Sequence, residues 1–487
     1  MSLFTNFIIR HRYSQLIIIF LISFQFGCKK FIQVSPPVTS INGGNVYLNE
    51  TLAASVLTGI YTTISDANRD FGSSSDPTGI SLFQGMYGDE LTLYNINDSR
   101  YNPFYTNSLT ALTTTGMFWT NLYSIIFTCN SAIDGLNNSP SLYSKVRSQL
   151  LGEAKFVRAF CYFYLVNLYA KVPLVVTTDY KTNSQLAATA APKIYDQIVS
   201  DLKDASNLLS EQYLKSDALT PYAVGAEERV RPTKFAAEAL LARVYLYTGD
   251  YANAEIQASN VINKSSYSLN QLNDVFKKNS TETIWALQPV GTDVQANTGE
   301  GRLFILPSTG PNPFPNFVYL SSSVFNSFEN GDQRRLEWID SVFDGSTTYY
   351  FPYKYKLGLV SSPTEEYIII LRLSELYLIR AEARTQQGEA NAVNDLNAIR
   401  NRAGLLNYVG ATDKPSLLAA IMHERQVELF TEWGHRWFDL KRSNALNTVM
   451  TAVCAAKGGT WSPNKAVYPI PQTEIDRDHN LSQNPGY

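Results

Sequence analysis

Few groups in this sequence could do covalent chemistry, and the best of them fail on spacing. His423-Glu424 opens like the H-E-x-x-H helix of zinc hydrolases, but Val427 holds the place of the second imidazole, so no zinc-binding face forms. The chain has only four His in 487 residues, and it carries no G-x-S-x-G elbow, phosphate loop or dinucleotide fingerprint. Asp89-Glu90 and Glu365-Glu366 pair carboxylates, but adjacency in sequence does not supply the separation of about 5 to 9 Å that glycoside hydrolysis uses. Such neighbours are expected to be solvated. No catalytic residue, metal ligand or cofactor is therefore expected.

Binding chemistry is better represented. Aromatic residues make up 13% of the chain and 30 of them are Tyr, a side chain with an apolar face and a hydrogen-bonding tip. The candidates are Tyr94, Asn97, Arg100 and Tyr101 in one aperiodic stretch, Phe314, Phe317 and Tyr319 in a second, and Trp461 between Gly459 and Pro463. Their rings could stack on the apolar faces of sugars or peptide side chains, while Asn97 and Arg100 supply directed hydrogen bonds. Packing within the loop is the competing role for each ring, because buried Tyr and Phe are common.

These residues need a scaffold, and the remaining sequence reads as helices. Asn49 can cap a helix in which Ala53, Val56, Leu57, Ile60, Tyr61 and Ile64 recur at helical spacing. Apolar periodicity returns from Phe118 to Leu136 and from Val146 to Tyr169, two helices expected to form a hairpin, and Pro192–Leu209 offers another. Arg231 to Asn263, with Gly249-Asp250 at the turn, is close to a tetratricopeptide unit, and Arg372 to Arg402, turning at Gly388, is a second copy. The expected fold class is mostly α: a TPR-like helical repeat scaffold with long irregular loop insertions at about 67–115 and 265–365. A few short strands are expected, one of them at Thr283–Leu287. Loops of this length are usually functional, and recognition residues concentrate on loops held by a rigid scaffold. Glu432 with Arg436, and Arg425 with Glu428, have the spacing of ion pairs on a helix surface. Glu153 and Arg158 are read as structural in the same way.

Composition removes other classes of function. A formal charge of -3 provides no basic field for nucleic acid, and 45% hydrophobic with 17% charged residues describes a folded chain rather than a disordered one. Arg10 and Arg12 precede the apolar run Leu16–Phe26, too short to span a bilayer but suited to a secretory signal. The run ends at Gly27-Cys28, similar to a lipobox, so residues 1–27 are expected as a signal peptide, Cys28 as a diacylated anchor and 28–45 as a tether to a single domain over 46–487. Cys129, Cys161 and Cys454 remain; an odd number argues against a disulfide framework, and the first two are expected as buried helical residues.

Four segments together carry a resemblance over nearly the whole chain. They are LGEAKFVRAFCYFYLVNLYAKVPLV at 151–175, RLSELYLIRAEA at 372–383 followed by LNAIRNRAG at 396–404, HERQVELFTEWGHRWFDLKR at 423–442, and VYPIPQTEI at 467–475 with a terminal QNPGY. Their order and spacing, behind a lipoprotein leader, resemble the SusD/RagB family of Bacteroidetes outer-membrane lipoproteins, with Ala170 where the first signature has Gly. The resemblance implies a cell-surface nutrient-binding subunit that hands its ligand to a SusC-like TonB-dependent outer-membrane barrel without covalent chemistry. It favours an oligosaccharide as ligand and leaves a peptide open. A surface glycoside hydrolase using the insertion carboxylates, and a pure adaptor that binds only the barrel, are the alternatives. Lys29-Lys30 stand where many surface-exposed relatives are acidic, which leaves the facing side of the membrane undecided.

Overall fold

Helix signals in the sequence become helices wherever an apolar stripe meets a cap. Asn49 Oδ1 accepts the Leu52 N–H at 3.1 Å and starts α1 (Glu50–Ser65), which buries Ala53, Leu57, Ile60, Tyr61 and Ile64. The computed structural model describes residues 46–65, 79–113, 117–291, 295–358 and 363–487. The signal peptide, Cys28 and the tether lie outside the described residues, as does part of the first insertion. Among the described residues no helix is long and apolar enough to cross a membrane.

The remaining long helices are α2 (Ile80–Tyr87), α3 (Met117–Asn137), α4 (Ser144–Tyr169), α5 (Ala191–Leu208), α6 (Lys234–Thr248), α7 (Tyr251–Ile262), α8 (Leu373–Gln387), α9 (Ala392–Arg402), α10 (Lys414–Leu429), α11 (His435–Arg442) and α12 (Leu446–Ala456). From α3 to α9 each helix packs on the next, and α10 returns to pack on α8. This stack of helix pairs is mostly α and TPR-like, and it buries a core that one pair could not. The turns are those the sequence marks. Gly249 (φ 77°) and Gly388 (φ 78°) take left-handed backbone at the ends of α6 and α8, and Asp250 Oδ1 caps α7 through the Asn253 N–H at 3.2 Å. Cys129, Cys161 and Cys454 are buried free thiols.

Helix α4 is buried around almost its whole circumference. It ends at Ala170, the position where the family signature has Gly. Ala170 sits at φ 66°, ψ -59°, and the Lys171 N–H donates to Tyr169 O at 2.9 Å, closing a γ-turn of the rarer, positive-φ kind that is strained for any residue with a Cβ.

Among the described residues, eight short strands form four two-stranded antiparallel ribbons. They are β1 (Leu91–Leu93), β2 (Val172–Pro173), β3 (Ala188–Thr189), β4 (Thr283–Leu287), β5 (Val318–Leu320), β6 (Ile339–Phe343), β7 (Thr348–Pro352) and β8 (Ile368–Arg372). The pairs are β1 with β5, β2 with β3, β4 with β8, and β6 with β7. The β4–β8 ribbon is buried at every position, and it fastens the second insertion to the helical stack.

The charged signature residues are paired, but not with the neighbours their spacing suggests. Helix α10 ends at Leu429, and Thr431 (φ 53°), Trp433 (φ 46°) and Gly434 (φ 74°) then turn the chain through left-handed backbone before α11 begins. Glu432 and Arg436 therefore share no helix. Glu432 accepts from Arg372 Nε at 2.7 Å and from Lys354, while Arg436 Nη2 reaches Asp89 Oδ2 at 2.7 Å. Arg425 and Glu428 do share α10, yet Arg425 Nε donates to Asp439 Oδ2 at 2.7 Å and Glu428 turns to Arg372, Arg402 and Arg334. Exposed pairs on one helix contribute only about 0.3 kcal/mol each. These groups are buried instead, where a charge demands several partners at once.

Arg372 is the centre of this web. Its guanidinium reaches Glu282 Oε1 at 3.0 Å, Glu428 Oε1 at 2.5 Å and Glu432 Oε2 at 2.7 Å, and Nη2 also donates to Glu428 O at 2.8 Å. Burial alone would raise the Glu428 carboxyl, but Arg402, Arg372 and Arg334 hold it well below the usual carboxylate range. Glu153 with Arg231 and Arg158 with Asp201, at 2.6 Å each, are the matching buried pairs of the first signature.

Two expected solvated pairs are built differently. Asp89 and Glu90 are both buried, Asp89 against Arg436 and Glu90 against the Thr431 N–H at 2.9 Å. Glu366 is also buried, accepting the Lys356 and Leu357 N–H groups, and only Glu365 stays exposed. Asp89, Glu90 and Glu366 turn inward, where an Arg or backbone N–H groups replace the water that the structure excludes.

Three outcomes are expected from this architecture. Arg372→Met leaves three buried carboxylates short of their main partner, and urea unfolding should show a loss of about 3–5 kcal/mol; a loss below about 1 kcal/mol would contradict the hub. Ala170→Gly relieves the positive-φ turn and should stabilise by about 0.5–1 kcal/mol, seen as a raised Tm.

Burial pushes the Glu90 carboxyl up to about 8, with the Thr431 N–H opposing the shift. A raised folded-state pKa means that the folded chain holds the proton more tightly, so this stability is complete below about 4.5 and is lost as pH rises towards 8. Glu90→Gln keeps the acceptor oxygen and removes the ionisation. It should flatten the fall in unfolding free energy between pH 5 and 8, and an unchanged slope would show that Glu90 does not titrate in that range.

Candidate functional site

The β1–β5 ribbon decides which aromatic residues reach the surface. Side chains alternate across a strand, and the register pairs Leu91 with Leu320, Thr92 with Tyr319 and Leu93 with Val318. The four aliphatic residues are buried, so Thr92, Tyr94 and Tyr319 share the outward face. The Tyr94 N–H donates to Phe317 O at 2.9 Å and extends the ladder by one bond. Tyr349, on β7, completes the group: its ring centroid lies 5.1 Å from Tyr319 and 6.3 Å from Tyr94, edge-on to both. Gly310 lies against the same ring, where a Cβ would meet Tyr349 at 3.5 Å.

Tyr94 is 44% exposed, and Tyr319 and Tyr349 are half-buried. Burial raises the Tyr319 phenol above its ordinary value, helped by the phenols of Tyr105 and Tyr349. Burial likewise raises Tyr105, opposed by the Thr92 hydroxyl. The hydroxyl groups of this face can both donate and accept hydrogen bonds.

Beside it, the loop from Tyr94 to Tyr101 is organised by its own polar groups. Asp98 Oδ1 accepts the Arg100 N–H at 3.0 Å, Asp98 Oδ2 accepts Arg100 Nη2 at 2.8 Å, and Asn102 Nδ2 donates to Ile96 O at 2.6 Å. These bonds to Arg100 hold the Asp98 carboxyl below its ordinary value. Arg100 is more than half exposed and Asn97 is exposed.

Two sequence candidates do not belong to this surface. Tyr101 and Phe317 are each 1% exposed and stack on one another with centroids 4.0 Å apart, so neither has a face left for a ligand; they are the core beneath the ribbon. Phe314 is 50% exposed in the loop after the second insertion's short helix at Gly299–Phe304. Asn316 pins that loop by donating to the carbonyls of Arg302, Leu303 and Ile305 at 2.8, 3.0 and 2.9 Å.

Trp461, read from sequence as exposed, is half-buried. It packs edge-on to Trp437 at 6.1 Å, and its Nε1 donates to Asn447 Oδ1 at 2.9 Å. Its loop nevertheless touches the platform's border. Lys457 Nζ lies 4.9 Å from the Tyr105 ring centre, and Gly459 approaches so closely that a Cβ would fall 2.2 Å from Thr106 O.

Tyr349 is the platform residue that sequence reasoning passed over. Its signal was present in Tyr349-Tyr350-Phe351, a short β-favouring run inside the second insertion. Two clefts among the described residues share no lining residue with the platform: one of ≈ 570 Å³ between α5, α6 and α7, and one of ≈ 460 Å³ that involves α3 and the C-terminal segment. Among the described residues, no group of three or more His, Cys, Asp or Glu could hold a metal ion.

Comparison with known proteins places this architecture. Residues 326–487 match the model of the SusD family, and residues 30–246 match a family described as starch-binding, associating with outer membrane. A SusD-like protein of Formosa agariphila is 28% identical over 423 residues, which cover 76% of this chain and 80% of that protein. A SusD superfamily protein from Bacteroides vulgatus superposes with a TM-score of 0.75 at 20% identity, over 91% of this chain and 100% of that one. A laminarin-binding SusD-like protein superposes with a TM-score of 0.71 at 23% identity, over 90% and 100%. Two family matches that together cover residues 30–246 and 326–487, a curated relative spanning most of the chain and the shared helical stack lead to one conclusion: the chain belongs to the SusD/RagB family.

Proposed function

We propose that this protein binds a neutral oligosaccharide on the Tyr94–Tyr319–Tyr349 platform and passes it to a SusC-like TonB-dependent outer-membrane transporter without a covalent step. In this reading residues 1–27 are a signal peptide, Cys28 carries the lipid that holds the protein on the outer membrane, 28–45 form the tether, and 46–487 form one domain facing the cell exterior. The observation that carries the reading is the platform itself, three phenols carried by β5, β7 and the residue after β1, above the buried inner face of the β1–β5 ribbon. Aromatic rings and neutral hydroxyl groups suit a ligand with flat C–H faces and hydroxyl edges. Asn97 and Arg100 lie on the exposed loop that follows Tyr94, and that loop is held by its own hydrogen bonds, so little ordering is needed on binding. The family description and the laminarin-binding neighbour support carbohydrate as the ligand class.

Three of the four acids nominated for the hydrolase alternative are engaged, and Glu365 alone is exposed. Asp89 is engaged with Arg436, Glu90 with the Thr431 N–H, and Glu366 with two backbone N–H groups.

Calorimetry of the full chain in detergent with maltohexaose, laminarihexaose, cellohexaose and a matched set of hexapeptides tests the reading. At least one hexasaccharide should bind and be recovered intact. Tyr94→Ala combined with Tyr319→Ala should weaken that binding tenfold or more, about 1.4 kcal/mol. By contrast Tyr101→Ala should act on stability, lowering it by about 3–5 kcal/mol, because it opens a cavity under the ribbon. Parent affinity in the double variant, binding of peptides alone, or appearance of shorter sugars would each remove the proposal.

A further inference from the structure

The ≈ 460 Å³ cleft is unrelated to the platform, and its size falls in the range of about 300–1,000 Å³ usual for small-ligand sites. It opens where the first turns of α3, the segment after β2 and the C-terminal residues 474–481 meet. Its floor is apolar and held rigidly. Tyr123 Oη donates to Pro173 O at 2.7 Å, and Val175 is clamped from both sides, its N–H donating to Tyr162 Oη at 2.7 Å and its carbonyl accepting from Asn130 Nδ2 at 3.0 Å.

Two features of the rim are not explained by folding. Tyr180 lines the cleft while 79% exposed, an unusual place to leave a large ring. Its backbone is fixed, because Asp179 caps the short helix Tyr180–Asn183 through the Lys181 N–H at 3.1 Å. Asn183 lines the same cleft. Its Nδ2 donates to Thr177 O at 2.9 Å, and since only the nitrogen end can donate to a carbonyl, this bond fixes the amide's orientation. Its Oδ1 is then buried with no hydrogen-bond partner. Leaving such an acceptor unsatisfied costs about 1–3 kcal/mol.

A ligand that removes both anomalies must offer a flat apolar face to Tyr180 and a hydroxyl or amide donor to Asn183. A purely apolar ligand would leave Oδ1 unpaired. An anion would meet Glu474 and Asp478, which also line the cleft, and Arg477 there is already paired with Glu474 at 3.0 Å. We infer that this cleft is a second, independent binding site for a neutral sugar residue, with Tyr180 as its stacking ring and Asn183 Oδ1 as its acceptor. It shares the ligand class of the platform reading but none of its residues, so each can fail alone. An oligosaccharide held here would be gripped on a face built by α3 and the chain terminus, leaving the platform free for another stretch of the same polymer or another molecule.

Hydrogen exchange of the full chain in detergent, with and without maltohexaose, laminarihexaose or cellohexaose, separates the cases. At least one hexasaccharide should protect peptides covering 173–184 and 472–481. Tyr180→Ala, a substitution at an exposed ring, should weaken that protection tenfold or more in the sugar concentration required, while Tyr94→Ala leaves it unchanged. Protection confined to 91–101 and 312–320 would overturn the second site and leave the platform standing; protection confined to the cleft would do the reverse. No protection at 173–184 by any of the three sugars, protection there by hexapeptides alone, or full protection in Tyr180→Ala would also overturn it.

Discussion

Arg372 must be neutralised inside the protein, and most of the architecture follows from how this is done. One guanidinium cannot be buried without several acceptors, and those around it come from separate parts of the chain: Glu282 before β4, Glu428 in α10 and Glu432 in the turn beyond. Each acceptor then needs further donors. Arg402 at the end of α9 serves Glu282 and Glu428, Arg334 serves Glu424 and Glu428, and Lys354 serves Glu432. A charge web of this kind joins the last helices to the second insertion in one arrangement, because any shift leaves a buried charge uncompensated.

The web also positions the platform. The turn after α10 carries two strained non-glycine residues, and each is held by the first insertion's core: Thr431 N–H by Glu90 and Trp433 N–H by Ser81 Oγ at 2.9 Å. Asp89, next in line, binds Arg436. These two carboxylates immediately precede β1, and their carbonyls accept from Ser321, which immediately follows β5. The end of the β1–β5 ribbon where β1 begins and β5 finishes is thus tied to the region that neutralises Arg372. The rings on its outer face inherit that rigidity, so sites far apart in sequence are set by one electrostatic constraint.

This explains what could be read in advance. The helical stack and its turns were legible because 3.6-residue periodicity, Asn49, Gly249, Asp250 and Gly388 are local signals that local backbone obeys. The charged signature residues were recognisable, but their partners were not: spacing of three or four implies a shared helix, and the left-handed residues at 431, 433 and 434 break it. Burial of Asp89 and Glu90 was hidden for the same reason, since their partners lie more than 300 residues away. Among the aromatic candidates, the division between Tyr94 and Tyr319 outside and Tyr101 and Phe317 inside depends on the pairing of β1 with β5. That pairing joins two insertions and has no periodic trace in either. Tyr349 needed a third strand to be seen.

The geometry of the platform bears on the size of what it can hold. Its three rings are neighbours, 6.3 Å from Tyr94 to Tyr349 and 5.1 Å from there to Tyr319. A single stacking contact contributes little once the loss of translational freedom is counted. A chain long enough to touch two rings makes the second contact at high effective concentration, without repeating that loss. On the binding proposed for it, such a surface would favour polymers over their monomers and would leave one face of the ligand uncovered.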